Sequence, residues 1–237
     1  MSIKNLGIIG GGQLGSLLAV AAKKLNINTT IYCDDIDAPA QNFCARFVYG
    51  RYDDKLKLQE FIKEMDVITY EFENIPYETL NELNKVKPVL PKPSVIRLIE
   101  HRVAEKDFVN KLNIRTTRYA SIDSKSDMEP LGDFLPGILK TTTMGYDGKG
   151  QYPIKKIEEI NDLNIDFSKG YILEKLVKLK KEISVIITRF GNNSYEIYEP
   201  IENTHEDQIL KYSIIPAQIS KKIFDESKDW SIRIAEE

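Results

Sequence analysis

The stretch IKNLGIIGGGQLGSLLAVAAKKL, residues 3–25, changes its period at the glycines. Ile3 to Ile9 form a short apolar run that suits a strand buried on both faces. Leu14 to Leu25 then repeat apolar residues at helical spacing, which predicts Leu14, Leu17, Leu18, Ala21, Ala22 and Leu25 on the buried face. Between them, Gly10-Gly11-Gly12-Gln13-Leu14-Gly15 fits GxGxxG. A strand, a tight glycine turn and a helix make the first half of a βαβ unit.

The pattern continues outward from this unit. Thr29–Tyr32, Arg46–Tyr49 and Asp66–Tyr70 read as strands, with helices over Lys55–Glu64 and Tyr77–Lys85. That alternation predicts an α/β fold with a parallel, doubly wound sheet. KPVLPKPSVIR carries Pro88, Pro91 and Pro93, a plausible domain boundary because proline fixes the chain and removes a backbone donor. Beyond an amphipathic helix over Arg102–Leu112 the rhythm changes. Strands are expected at Ile138–Lys140, Tyr171–Glu174, Glu182–Arg189 and Ser194–Tyr198, and a closing helix at Gln218–Ala235.

The bulk composition is that of an ordinary soluble protein: 237 residues, 42% apolar, 29% charged, net charge -3. It lacks the basic excess of a nucleic-acid binder. Cys33 and Cys44 have no metal-ligand spacing and do not suggest a disulfide framework, so a reduced, cytoplasmic setting is expected. The N-terminus enters a strand pattern at once, so neither a leader nor a membrane span is expected.

Two glycine loops are candidate anion sites. In the first, the helix N-terminus after GGGQLG would offer free N–H groups and a positive dipole end. Asp34 and Asp35 stand about 20 residues on, where a dinucleotide-binding protein holds ribose. An NAD-dependent enzyme, another anion site and a glycine turn for close packing all remain open on this motif. In TYEFENIP, residues 69–76, an extended chain would place Thr69, Glu71 and Glu73 on one face. Those carboxylates could bind amines or ribose hydroxyls, or be solvated charges, or cap the next helix.

The second loop is KTTTMGYDGKGQ, residues 140–151. A strand ends in Lys140, and three glycines follow within six positions, with Lys149 among them. Backbone N–H groups freed by glycine can wrap phosphate oxygens, although the loop lacks the GK[ST] ending of a Walker motif. A flexible hairpin is the plainer alternative. Downstream, Glu174 ends an apolar strand and could meet an adenine amine, while Glu182 opens the next strand and could hold ribose.

GGGQLG, TYEFENIP, GYDGKGQ, ILEK followed by KKEISV, and EPIENTHEDQIL occur in one order across nearly the whole chain. Together they resemble the N5-carboxyaminoimidazole ribonucleotide synthetase family, the ATP-grasp carboxylases of purine biosynthesis. The resemblance implies a Rossmann-like pre-ATP-grasp domain over 1–98 and an incomplete α+β ATP-grasp domain beyond it. The latter would comprise a small subdomain over 99–176 and the start of the large subdomain over 177–237. It further implies that Lys140 contacts ATP phosphates under a flap formed by Gly145, Tyr146, Asp147, Gly148, Lys149, Gly150 and Gln151. Glu174, Lys175, Leu176 and Val177 would hold adenine and Glu182 the ribose, with Arg102 and His205 lining the site. Gln13, Glu71 and Glu73 would face 5-aminoimidazole ribonucleotide. Tyr146, Asp147 and Lys149 would stand where that substrate meets the phosphates, Asp147 handling the amine proton. Many relatives carry arginine at the Lys149 position; lysine keeps the charge but loses the bidentate fork.

The implied chemistry uses ATP, Mg2+ and bicarbonate, by way of carboxyphosphate, in a cytoplasmic homodimer. The family's metal-binding glutamate, Asn-Glu pair and basic phosphate-gripping segment would fall beyond Glu237, so no metal ligand is expected in this chain. The last sheet should then expose edges. Another ATP-grasp ligase, an NAD-dependent dehydrogenase and a nucleotide-binding module without turnover are the competing expectations.

Overall fold

The computed structural model describes residues 3–143, 150–163, 165–206 and 209–237. The chain divides into two compact units, Met1–His101 and Arg102–Glu237.

The first unit is built on a four-stranded parallel sheet. Its strands are β1 (Asn5–Ile9), β2 (Asn28–Cys33), β3 (Arg46–Tyr49) and β4 (Val67–Tyr70), in the order β3-β2-β1-β4. Both faces are covered, which is why the strands read as continuous apolar runs. Ile9, Tyr32 and Ile68 join one cluster with Phe61 of α2 (Lys55–Ile62), Leu80 of α3 (Tyr77–Asn84) and Ile96 of α4 (Pro93–Ile99). Ile8 and Ile31, one residue out of phase, join the opposite cluster with Ala19 of α1 (Gln13–Lys24). The proline-rich run belongs to this unit. Val89 bridges Ile68 in parallel, held by Ile68 N–H to the Pro88 carbonyl and Leu90 N–H to the Ile68 carbonyl, both 2.9 Å. The chain then enters α4, whose Ile96 is fully buried.

Helix α1 forms where expected and buries part of the expected face, Ala22 and in part Leu18, but the face is centred elsewhere. Gly15, Ser16, Ala19 and Ala22 are buried, whereas Leu14, Leu17 and Leu25 are 61%, 59% and 72% exposed. Ala21 is exposed as well. Small residues let the helix backbone approach the sheet closely, and leucines at those positions would hold it off. Hydrophobicity alone therefore misplaces the centre of the buried face.

Among the described residues the second unit contains three sheets. The largest joins β5 (Tyr119–Ile122), β6 (Gly137–Thr141), β7 (Gln151–Ile154) and β8 (Tyr171–Lys175), all antiparallel, in the order β5-β8-β6-β7. Ile122, Leu139, Ile154, Tyr171 and Leu173 form its core with Met128 and Ile160. Helix α5 (Arg102–Lys111) precedes this sheet in the chain. The expected single strand over Glu182–Arg189 is two strands, β9 (Glu182–Ser184) and β10 (Ile187–Gly191), in different sheets. The first pairs with β12 (Ile201–Glu206), which also pairs with β13 (Ile209–Ile214). The second pairs with β11 (Ser194–Ile197). All six residues of β13 are exposed, Ile209 at 67% and Tyr212 at 57%. Helix α6 (Lys221–Glu236) starts at a Ser220 cap, three residues later than expected. Among the described residues no helix is long and apolar enough to cross a membrane.

The buried face of α1 can be tested by urea unfolding. Leu17→Gln should change stability by no more than ~0.5 kcal/mol. Ala19→Leu should cost about 1–3 kcal/mol by overpacking. The reverse ranking would restore the leucine face.

Candidate functional site

The first glycine loop is already filled by a side chain of the chain itself. Strand β4 ends at Tyr70, and Glu71 turns back over the start of α1 instead of continuing extended. Its Oε1 accepts from Gly12 N–H at 2.5 Å and its Oε2 from Gly15 N–H at 2.6 Å. A carboxylate there satisfies orphan donors and sits at the positive end of the helix dipole. The glycines make room for it: a Cβ on Gly10 would lie 2.5 Å from Glu71 Cγ, and one on Gly12 2.8 Å from Oε1. Gly10 also has φ +100°, a region that strongly favours glycine. The expected common face of Thr69, Glu71 and Glu73 therefore does not form. Glu73 lies exposed in the turn before the fully buried Ile75, and Gln13 is exposed at the first turn of α1.

The second glycine loop is presented differently. Lys140 and Gln151 are paired residues of the β6–β7 hairpin, and Thr141 N–H donates to the Gly150 carbonyl at 3.0 Å. Gly150 adopts φ +70°, and a Cβ there would meet Thr141 Oγ1 at 2.8 Å. Arg102 stitches the start of α5 to the same hairpin, with N–H to the Thr142 carbonyl at 2.9 Å and Nε to the Thr141 carbonyl at 3.0 Å. Gly145, Tyr146, Asp147, Gly148 and Lys149 lie outside the described residues.

On the neighbouring strand β8, Glu174 is 8% exposed and holds two ammonium groups. Lys140 Nζ donates to Oε2 at 2.8 Å, and Lys106 Nζ lies 3.2 Å from Oε1. Burial by itself would raise the Glu174 carboxyl. The hydrogen bond and charge of Lys140, then those of Lys106, outweigh it and hold the group below its ordinary value. Lys106 was not singled out in the sequence. Its signal was the four-residue spacing from Arg102 on one helix, which puts both cations on one face.

After Lys175 the chain leaves the sheet. Lys175 N–H donates to the Arg118 carbonyl and Leu176 N–H to the Pro136 carbonyl, at 2.9 and 3.0 Å. Leu176 and Val177 are about half exposed. In the β9–β12 sheet, His205 Nδ1 lies 3.3 Å from Glu182 Oε1, so two residues singled out separately in the sequence are neighbours. Among the described residues no group of three or more His, Cys, Asp or Glu side chains could hold a metal ion.

Glu71→Ala should destabilise the first unit by about 2–4 kcal/mol in urea unfolding, because it removes two charge-assisted hydrogen bonds. A loss below ~0.5 kcal/mol, the scatter of an ordinary surface change, would contradict the capping role. Glu174 has a lowered folded pKa, so its contribution is fully present above the unfolded value of about 4.5 and fades as pH falls through the folded value. Glu174→Gln should cost about 3 kcal/mol at neutral pH and flatten the acid side of the stability profile. An unchanged acid limb would show that the pairing is not significant in solution.

The comparisons with known proteins agree with this geometry. The profile of the ribonucleotide synthetase preATP-grasp domain matches residues 3–100, and that of the ATP-grasp domain matches residues 107–237. The N5-carboxyaminoimidazole ribonucleotide synthase of Bacillus subtilis is 34% identical over 236 residues, covering 98% of this chain and 62% of the relative. That of Brucella melitensis is 37% identical over 220 residues, covering 91% of this chain and 61% of the relative. A crystal structure of N5-carboxyaminoimidazole synthetase from Staphylococcus aureus with ADP superposes with a TM-score of 0.90 at 32% identity, covering 98% of this chain and 62% of that one. The chain thus spans about three-fifths of the length of these relatives. It belongs to the ATP-grasp family, with the preATP-grasp domain of the ribonucleotide synthetases ahead of its ATP-grasp domain.

Proposed function

We propose that this chain carries the nucleotide site and part of the acceptor site of an ATP-dependent carboxylating ligase. The reaction is carboxylation of 5-aminoimidazole ribonucleotide to N5-carboxyaminoimidazole ribonucleotide. The carrying observation is the cationic cluster of Lys140 and Lys106 around Glu174, at the foot of the second glycine loop. The S. aureus relative solved with ADP and the names of the curated relatives support the same reading.

In this proposal a bicarbonate oxygen attacks the terminal phosphorus of ATP, the bond to the ADP oxygen breaks, and carboxyphosphate forms. The exocyclic amine of the ribonucleotide then bonds to the carboxyl carbon, phosphate leaves and the nitrogen loses a proton. Lys140 offsets charge on the phosphates. Glu174 through Val177 border adenine, and Glu182 with His205 meets the ribose side. Arg102 ties α5 to the loop. Asp147 remains the candidate acceptor of the amine proton, with Tyr146 and Lys149 beside it, and residues 145–151 close over the phosphates to exclude water. Gln13 and Glu73 are proposed to face the ribonucleotide, while Glu71 shapes that site by fixing the glycine loop. The subdomain division at residues 176 and 177, a cytoplasmic homodimer and a magnesium requirement belong to the same proposal. The described residues offer magnesium no ligand set, so no step is derived through it.

A second reading is a nucleotide-binding unit without turnover. The dehydrogenase reading loses its ground, because Glu71 occupies the N–H groups a dinucleotide phosphate would need. ADP release from MgATP separates the remaining two. The carboxylase reading expects release that requires both bicarbonate and 5-aminoimidazole ribonucleotide. Release indifferent to the ribonucleotide would overturn the acceptor, and ADP binding without release under any condition would select the second reading.

A further inference from the structure

The carboxylate of Glu174 is shared between two lysines that reach it from different elements. Lys140 comes from strand β6, where the segment of the second glycine loop begins, and Lys106 comes from helix α5. The side chains of both lysines are 18% exposed and that of Glu174 11%, so water screens the three charges only partly. Two ammoniums and one carboxylate leave a formal excess of one positive charge. Glu174 needs one cation to be neutralised, and the geometry decides which one it can spare. Lys106 also lies 5.7 Å from the centroid of the Tyr119 ring, and that tyrosine stands directly across from Glu174 in the β5–β8 register. Tyr119 is in turn tied to α5 by its hydroxyl, which donates to Asp107 at 2.5 Å. Lys106 thus lies over a ring that Asp107 ties to its own helix, while Lys140 is the lysine contiguous with the loop.

We infer that Lys106 is a positioning residue of the nucleotide site: it neutralises Glu174, so that the charge of Lys140 stays available to a phosphate. This rests on the nucleotide reading above. Without Lys106, Glu174 has Lys140 as its remaining ammonium partner. The pair is then neutral, and a polyphosphate must compete with a buried carboxylate for Lys140. Removal of Lys106 should therefore weaken recognition of phosphate and spare recognition of the nucleoside.

Titration calorimetry of the whole chain with two probes, ADP and adenosine, tests this. Lys106→Met should weaken ADP binding by about tenfold, the size of one charge-assisted contact, and change adenosine binding by less than about twofold. Lys106→Arg, which keeps the charge, should restore ADP affinity to within about threefold of the parent. A parallel loss of ADP and adenosine binding in Lys106→Met would mean that Lys106 only maintains the fold, and overturns the inference. So does an unchanged ADP affinity in that variant while the parent binds ADP, and the nucleotide reading then survives. A parent chain that binds neither probe overturns both.

Discussion

A carboxylate withdrawn from water must be met by donors or by cations, and Glu174 is met by two ammoniums. Strand β8 runs through the middle of its sheet, so its last buried residue cannot reach solvent freely. Two lysines converge on it, one from β6 and one from α5. That requirement ties the helix, the hairpin and the central strand together, and it concentrates positive charge at the root of a glycine loop. The structural need of the fold is met by the same three side chains that the proposed phosphate site would use.

The other glycine loop shows the opposite outcome. Its free N–H groups and helix dipole are suited to an anion, and the chain supplies that anion as Glu71. The three glycines of GxGxxG are explained by the bulk of an internal carboxylate lying across them. Two loops with similar glycine content thus differ in charge: the first is neutralised from within by Glu71, and the second starts beside two lysines that share one carboxylate. Motif spacing does not distinguish them; the charge around each does.

Much of this was legible in the sequence, for physical reasons that differ along the chain. The parallel strands were readable because burial on both faces leaves an unbroken apolar run, as in Ile8-Ile9 and Ile31-Tyr32. Lys140 and Glu174 stood out because each ends such a run. The buried face of α1 was legible only in part, at Ala22 and Leu18, because close packing selects Gly15, Ser16 and Ala19 over leucine, and hydropathy ranks them the other way. The turn of Glu71 was missed because an extended chain was assumed past Tyr70, whereas an unsatisfied helix end nearby draws the carboxylate back. Lys106 was passed over because a lysine on an amphipathic helix is usually solvated, and its partner lies 68 residues away on another element. The strand break after Ser184 left no sequence signal, since the residues on both sides suit strands equally.

The central claim is that nucleotide phosphate is taken at the second loop and not at the first. Amide hydrogen exchange with and without ADP reads both at once. The account predicts slower exchange at Lys140–Thr142, Gly150 and Gln151, with Gly10–Gly15 unchanged. Slower exchange at Gly10–Gly15 with no change at the hairpin would contradict it.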